Sequence, residues 1–287
     1  MNAPRAASIR ARLRDAARER GEDFNVTLNR YAIERYLYRL SISRWAEQFV
    51  LKGALLFDLW FDEPHRPTRD ADFLGFGADD AETAKSIVTD ICTIEVDDGI
   101  EFDPAATKVE GIREDARYGG LRVRISGRLD GALCTAQIDI GFGDAVTPGP
   151  MVVDYPTMLE GVPAPRLRVY PRESVMSEKL EAIVSLGMGN SRMKDYYDLR
   201  ALIREDMVDK ASLVDAIRAT FDRRQTRIPE TTPVGLSDEF AGTPAKIAQW
   251  KAFLNRNRLE GPALVDVVTE IRTALAPAMR LARAPAE

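Results

Sequence analysis

At Pro171 the chain changes its period. Before that point short runs of strand character recur: residues 49–51, residues 70–76 with side chains alternating between faces, and residues 121–128 and 133–142. The last two flank Leu129-Asp130-Gly131, whose Asp-Gly pair favours a tight hairpin. Residues 152–155 and 167–169 add two more short runs beyond a Gly- and Pro-rich loop at 143–150. After Pro171 the apolar spacing is helical, over residues 173–187, 194–204, 212–224, 246–255 and 264–281, with a loop expected at 226–243. Helices also open the chain at 8–21 and 25–40, and others are expected at 54–60, after a turn at Gly53, and at 80–93. Strands gathered in one half and helices in the other predict an α+β protein. The expected domains are residues 1–170, a mixed sheet with amino-terminal helices, and residues 171–287, a helical domain completing an active cleft.

Composition narrows the function. Hydrophobic residues make up 45% and charged residues 30% of the 287, enough apolar surface to bury cores and too much for a disordered chain. No uncharged run of membrane-spanning length and no apolar leader is visible, so a soluble cytoplasmic protein without a membrane partner is expected. The two cysteines, Cys92 and Cys134, have neither zinc-ligand nor disulfide spacing and are expected as packed thiols. The single histidine, His65, lies in a Pro-rich loop at 63–69 and is expected at the surface, which removes a His-rich metal site and argues against a Ser-His-Asp triad.

Chemistry concentrates around Arg69-Asp70-Ala71-Asp72. Side chains at i and i+2 of a strand leave the same face, so Asp70 and Asp72 stand side by side, an arrangement that calls for a cation. Gln137-Ile138-Asp139-Ile140 places one acid between apolar neighbours, with two readings open. Asp139 either faces outward from its strand or, if that strand neighbours the Asp70 strand, completes a three-carboxylate site. In Leu51-Lys52-Gly53-Ala54 the glycine permits a turn that can present backbone N–H groups to phosphate, with Lys52 either neutralising charge or flanking the turn. Lys179 lies beside Met176, Leu180 and Ile183, from where its ammonium can reach a cleft edge. Lys194 and Asp195 open a helix, where an acid also caps. Thr68, two residues before Asp70, is a candidate regulatory hydroxyl.

These segments, in this order, resemble the AbiEii toxin family of bacterial toxin–antitoxin systems, DNA-polymerase-beta-like nucleotidyltransferases. The stretch around Lys52 and Gly53 is similar to the family's Lys-Gly segment, and Arg66-Pro67-Thr68-Arg69-Asp70-Ala71-Asp72 to its Arg-x-Thr/Ser-x-Asp-x-Asp segment. Glu178-Lys179-Leu180-Glu181-Ala182 and Lys194-Asp195-Tyr196-Tyr197-Asp198-Leu199 are similar to its Lys-x-x-Ala and Lys-Asp-x-x-Asp-Leu segments. Many members carry Gly or Ser where Ala54 stands. The resemblance implies Asp70 and Asp72 as ligands of Mg²⁺ or Mn²⁺, with Asp139 the candidate third ligand or base. It implies a nucleotide cradle of Lys52, Gly53, Ala54 and Arg69, a triphosphate contact from Lys179, and Asp195 in the same cluster. It further implies transfer of a nucleoside monophosphate, a pyrimidine, from a triphosphate to the 3′ end of tRNA, blocking translation under control of a cognate antitoxin. A nucleotidyltransferase acting on a protein or small molecule, and an inactive nucleotide- or RNA-binding protein, are the alternatives. With a formal charge of -5, any RNA path must be a local basic strip, for which Arg10, Arg14 and Arg18 and the group Arg223, Arg224 and Arg227 are candidates.

Overall fold

The computed structural model describes residues 3–62, 65–115, 118–205 and 208–284. Glu63 and Pro64 of the expected loop lie outside the described residues. The described chain forms two compact units, Met1–Gly143 with Met151–Val169, and Asp144–Pro150 with Tyr170–Glu287.

The first unit carries a mixed seven-stranded sheet in the order β3-β4-β5-β2-β1-β7-β6. Its strands are β1 (Phe49–Lys52), β2 (Asp70–Gly75), β3 (Ile100–Asp115), β4 (Tyr118–Leu129), β5 (Ala132–Phe142), β6 (Met151–Asp154) and β7 (Arg166–Val169). Pairing is parallel between β2 and β5 and between β1 and β7, and antiparallel elsewhere. The β4–β5 turn is the expected one: Asp130 and Gly131 both have positive φ, 46° and 75°, matching the right-handed twist of the strands it joins.

Alternation decides which sheet face is covered. Val123, Ile125 and Leu129 of β4, with Cys134, Ala136, Ile138 and Ile140 of β5, are buried, whereas Arg122, Arg124 and Gln137 are only half-buried. On the apolar face lie α2 (Phe24–Ser41) and α4 (Ala81–Cys92), with α1 (Ala3–Glu19) against α2. Asp23 caps α2 by accepting from Asn25 N at 2.9 Å, and Asp80 caps α4 by accepting from Thr83 N at 2.9 Å. Buried within this layer, Arg39 forks onto Asp98 at 2.6 and 3.1 Å. Both cysteines are buried and unpaired, and burial pushes each thiol up to about 12.

Three expectations for this unit need revision. The strand β3 has no counterpart in the sequence pattern, because its residues are polar and include Pro104; as the edge strand it tolerates both, and the register shifts between Asp103 and Lys108, where the missing Pro104 N–H disrupts no ladder. Residues 54–60 are not one helix. A 3-10 turn, Gly53–Leu56, runs into the single turn α3 (Phe57–Trp60), on whose Phe57 ring His65 stacks at 4.2 Å, so His65 is half-buried against aromatic rings and not a bare surface residue.

The second unit is helical: α5 (Arg172–Leu186), α6 (Met193–Arg204), α7 (Lys210–Arg223), α8 (Asp238–Gly242), α9 (Pro244–Asn257) and α10 (Leu264–Arg283). Pro171, extended, precedes α5, and Gly187 at φ 50° ends it. Met176, Leu180 and Ile183 share a core with Ile217 and Phe221 of α7 and Ile271 and Leu275 of α10. The stretch expected as a loop contains a 3-10 turn, Val234–Leu236, and α8, with Ser237 accepting from Phe240 N at 3.1 Å. Elements this short complete too few turns to leave a periodic signal. Among the described residues no helix is long and apolar enough to cross a membrane.

Candidate active site

The sheet's register assembles the acidic site in one row. Lys52 at the end of β1 pairs with Asp72 of β2, Asp72 with Asp139 of β5, and Asp139 with Arg122 of β4. Directly paired residues share a face, so all these side chains leave the sheet on the side opposite the helices. One row along, Asp70 pairs with Gln137 and Gln137 with Arg124. The ligand oxygens of Asp70, Asp72 and Asp139 lie within 4.8 Å of one another. Of the two readings open for Asp139 the structure takes the second: its strand neighbours β2, and its carboxylate is buried beside the Asp pair.

Local structure holds each group in place. Thr68 Oγ1 donates to Asp70 Oδ1 at 2.7 Å, so the hydroxyl orients the first carboxylate. Gly53 has φ +78°, and a Cβ there would lie 2.0 Å from Asp72 Oδ2. Both the backbone angle and the close approach of the carboxylate exclude a side chain. Lys52 is only 7% exposed and Ala54 8%, while Arg69 is exposed just before β2.

Sequence reasoning missed Arg122. Its Nε donates to Asp139 Oδ1 at 2.8 Å and its Nη2 to Oδ2 at 2.5 Å. This hydrogen bonding raises the guanidinium's pKa further; partial burial opposes the rise, and the charges of Asp139, Asp70 and Asp72 add to it. Arg122 falls at the strand period, so alternation could have placed it on the polar face, but no local pattern names its partner.

In the second unit the expected residues also meet. Lys179 Nζ of α5 donates to Asp195 Oδ1 at 3.0 Å and to Asp198 Oδ2 at 2.8 Å, both on α6 and both fully buried. Arg192 Nε donates to Asp195 Oδ2 at 2.7 Å. Burial alone would push the Asp195 carboxyl up, yet Lys179 and Arg192 overcome it and hold the group below its usual range. Asp198, one helical turn beyond Asp195, has no role that its sequence position alone suggests. A cavity of about 410 Å³ in the first unit, lined by Arg30, Glu34, Asp58, Phe61 and Tyr155 among others, includes none of these site residues.

Three convergent carboxylates on the sheet face opposite α2 and α4, with a lysine at the end of their row, define a protein whose site suits hard, oxygen-seeking cations. The family described as nucleotidyl transferase AbiEii toxin, type IV toxin–antitoxin system, matches residues 35–277. The chain belongs to that family, and the implied resemblance and α+β nucleotidyltransferase fold are borne out. Among solved structures, that of JHP933 from Helicobacter pylori is 14% identical, covering 90% of this chain and 91% of that chain at a TM-score of 0.47. A second H. pylori structure, assigned to the nucleotidyltransferases, is 15% identical, covering 89% and 94% at a TM-score of 0.46. No curated protein matches the sequence.

Proposed function

We propose that this chain transfers a nucleoside monophosphate from a triphosphate to the 3′ end of tRNA in the cytoplasm, blocking translation until a cognate antitoxin restrains it. The observation that carries the reading is the Asp70, Asp72 and Asp139 cluster, its oxygens within 4.8 Å, in a member of a nucleotidyltransferase toxin family. The donor set fits a divalent metal, since all three ligands are carboxylate oxygens, the choice of Mg²⁺ and Mn²⁺. When bound, such an ion would supply neutralisation of phosphate charge and acidify an acceptor hydroxyl.

The remaining roles belong to the chain itself. Lys52, Gly53, Ala54 and Arg69 form the nucleotide cradle, supported by the position of Lys52 in the Asp72 row and by the turn that Gly53 alone permits. Asp139 serves as third ligand or as base toward the acceptor. Lys179 contacts the triphosphate, with Asp195 setting the direction of its ammonium through their 3.0 Å contact. A pyrimidine triphosphate is the expected donor.

Incubation of purified protein with each α-³²P-labelled nucleoside triphosphate, Mg²⁺, bulk tRNA and total cell protein tests the proposal. Label should enter tRNA at its 3′ end and be absent with Asp70→Asn or Asp72→Asn. Label in protein, or undiminished transfer by either variant, would reject it.

A further inference from the structure

Asp139 has a partner that its proposed role does not require. Both of its oxygens accept from the Arg122 fork, at 2.8 and 2.5 Å, and Gln137 Nε2 stands 3.4 Å from Oδ1. The Arg122 side chain is 30% exposed and that of Asp139 6%, so the guanidinium closes over the carboxylate from the more open side. Its neighbour in the row is Glu110 of β3, directly across from it, yet Glu110 is taken by Arg124 Nη1 at 3.0 Å to each oxygen. Arg122 is thereby committed to the acid cluster as a resident cation.

We propose that Arg122 is a latch on the third carboxylate, holding Asp139 until a divalent cation arrives together with a triphosphate. The inference rests on the reading of Asp70, Asp72 and Asp139 as the metal site. Oxygens that already accept two charge-assisted hydrogen bonds, and that face a fixed positive charge, are poorer ligands for a second cation. Arg122 and a divalent ion therefore oppose each other at Asp139. A triphosphate changes the balance, because its oxygens offer the same guanidinium an alternative bidentate acceptor while adding negative charge to the site. Arg122 is thus a positioning residue whose effect is coupling: each of metal and nucleotide strengthens the binding of the other, by equal factors. Metal alone is held weakly, and the site forms fully only when both metal and nucleotide are present. A lysine could neutralise the cluster but could not occupy both oxygens in one plane.

The test is Mn²⁺ titration of the full chain, following the electron paramagnetic resonance signal of the free ion, for wild type, Arg122→Gln, Arg122→Lys and Asp70→Asn. Each is titrated alone and with a mixture of the four α,β-methylene nucleoside triphosphates, which resist transfer. Without nucleotide, Arg122→Gln should bind Mn²⁺ roughly tenfold tighter than wild type, and Arg122→Lys about threefold tighter. The strengthening by nucleotide should shrink in both variants. Circular dichroism establishes folding, and Arg122→Lys, which keeps the charge beside Asp139, decides the matter alone where Arg122→Gln does not fold. Equal or weaker Mn²⁺ affinity in the folded variants overturns the latch while leaving the metal site standing. Wild-type Mn²⁺ binding that Asp70→Asn does not weaken, or its absence even with nucleotide, overturns the metal site and the latch together.

Discussion

Gly53 leaves no room for even a methyl group: a Cβ would meet Asp72 Oδ2 at 2.0 Å, and φ +78° is strained for any other residue. Gly53→Ala should therefore displace Asp72, lowering stability by about 1–3 kcal/mol and abolishing transfer, as checked by urea unfolding and nucleotide incorporation. The carboxylates should differ from one another in metal-free protein. Asp70 is half-buried, accepting from the Thr68 hydroxyl, so Asp70→Asn relieves repulsion and should leave the melting temperature equal or higher in EDTA. Asp139→Asn removes the charge that both Arg122 hydrogen bonds rest on, and should lower it. Equal melting shifts in the two variants would contradict this division. The Asp70 and Asp72 pair was legible in the sequence because i and i+2 of a strand always share a face. Arg122 was not, because its role depends on a strand the local pattern cannot identify as its neighbour.

At the scale of elements, α5 and α6 are joined by a buried ion network. Lys179 is 11% exposed and neutralises Asp195 and Asp198, whose side chains are 0% exposed. Lys179→Met would leave two buried carboxylates short of a cation, and should cost about 3–5 kcal/mol, measured by chemical denaturation. The pH dependence follows from the same contacts. Asp195 has a folded-state pKa below its unfolded value, so its stabilisation is complete above the ordinary carboxylate range and is lost as pH falls through the depressed folded value. Stability of the wild type should thus decline on acidification below about pH 4, and that decline should be shallower in Lys179→Met, where burial is less opposed. A parallel pH profile for the two proteins would show that Lys179 does not set the Asp195 ionisation. The sequence placed Lys179 and Asp195 on separate helices and offered capping as one account of Asp195. Only packing showed that the acid turns inward to meet the lysine.

At the scale of the whole molecule, charge must be sorted by what already holds it. Arg10 is paired with Asp130 at 3.2 Å, Arg18 with Asp15 at 3.1 Å, and Arg14 lies over the Phe24 ring at 5.4 Å. Arg224 is enclosed by Asp144, Glu178 and Glu181, and Arg227 is paired with Glu230. Helical spacing put Arg10, Arg14 and Arg18 forward as an RNA path, with Arg223, Arg224 and Arg227 as a second cluster; the partners of Arg10 and Arg224 lie far away in sequence and leave no mark on a local pattern, whereas Arg18 and Arg227 stay largely exposed in pairs three residues apart. Lys108 and Arg128 are exposed on the sheet face that carries the acid cluster, and Arg124 lies on the same face in an exposed pair with Glu110 at 3.0 Å. Changing these three to Gln should weaken tRNA binding and reduce the salt slope by about 0.7 for each phosphate no longer neutralised. Arg224→Gln should destabilise the second unit without changing that slope. Fluorescence anisotropy across a NaCl series, with melts alongside, separates the outcomes; an unchanged slope in the triple variant would place the acceptor elsewhere.

Sequence by itself determined the α+β class, the change to helices at Pro171, the Asp-Gly hairpin and the pairing of Asp70 with Asp72, because each follows from the period and turn chemistry of contiguous residues. It left β3 unseen, since an edge strand has only one neighbour to satisfy and keeps polar residues and Pro104. Tertiary structure decided that β2 lies parallel to β5 with Asp72 against Asp139, and that β4 brings Arg122 over the same carboxylate. Strand order and register depend on contacts between segments distant along the chain, and a slip of one residue would have turned Asp139 into the apolar layer and left the cluster with two acids.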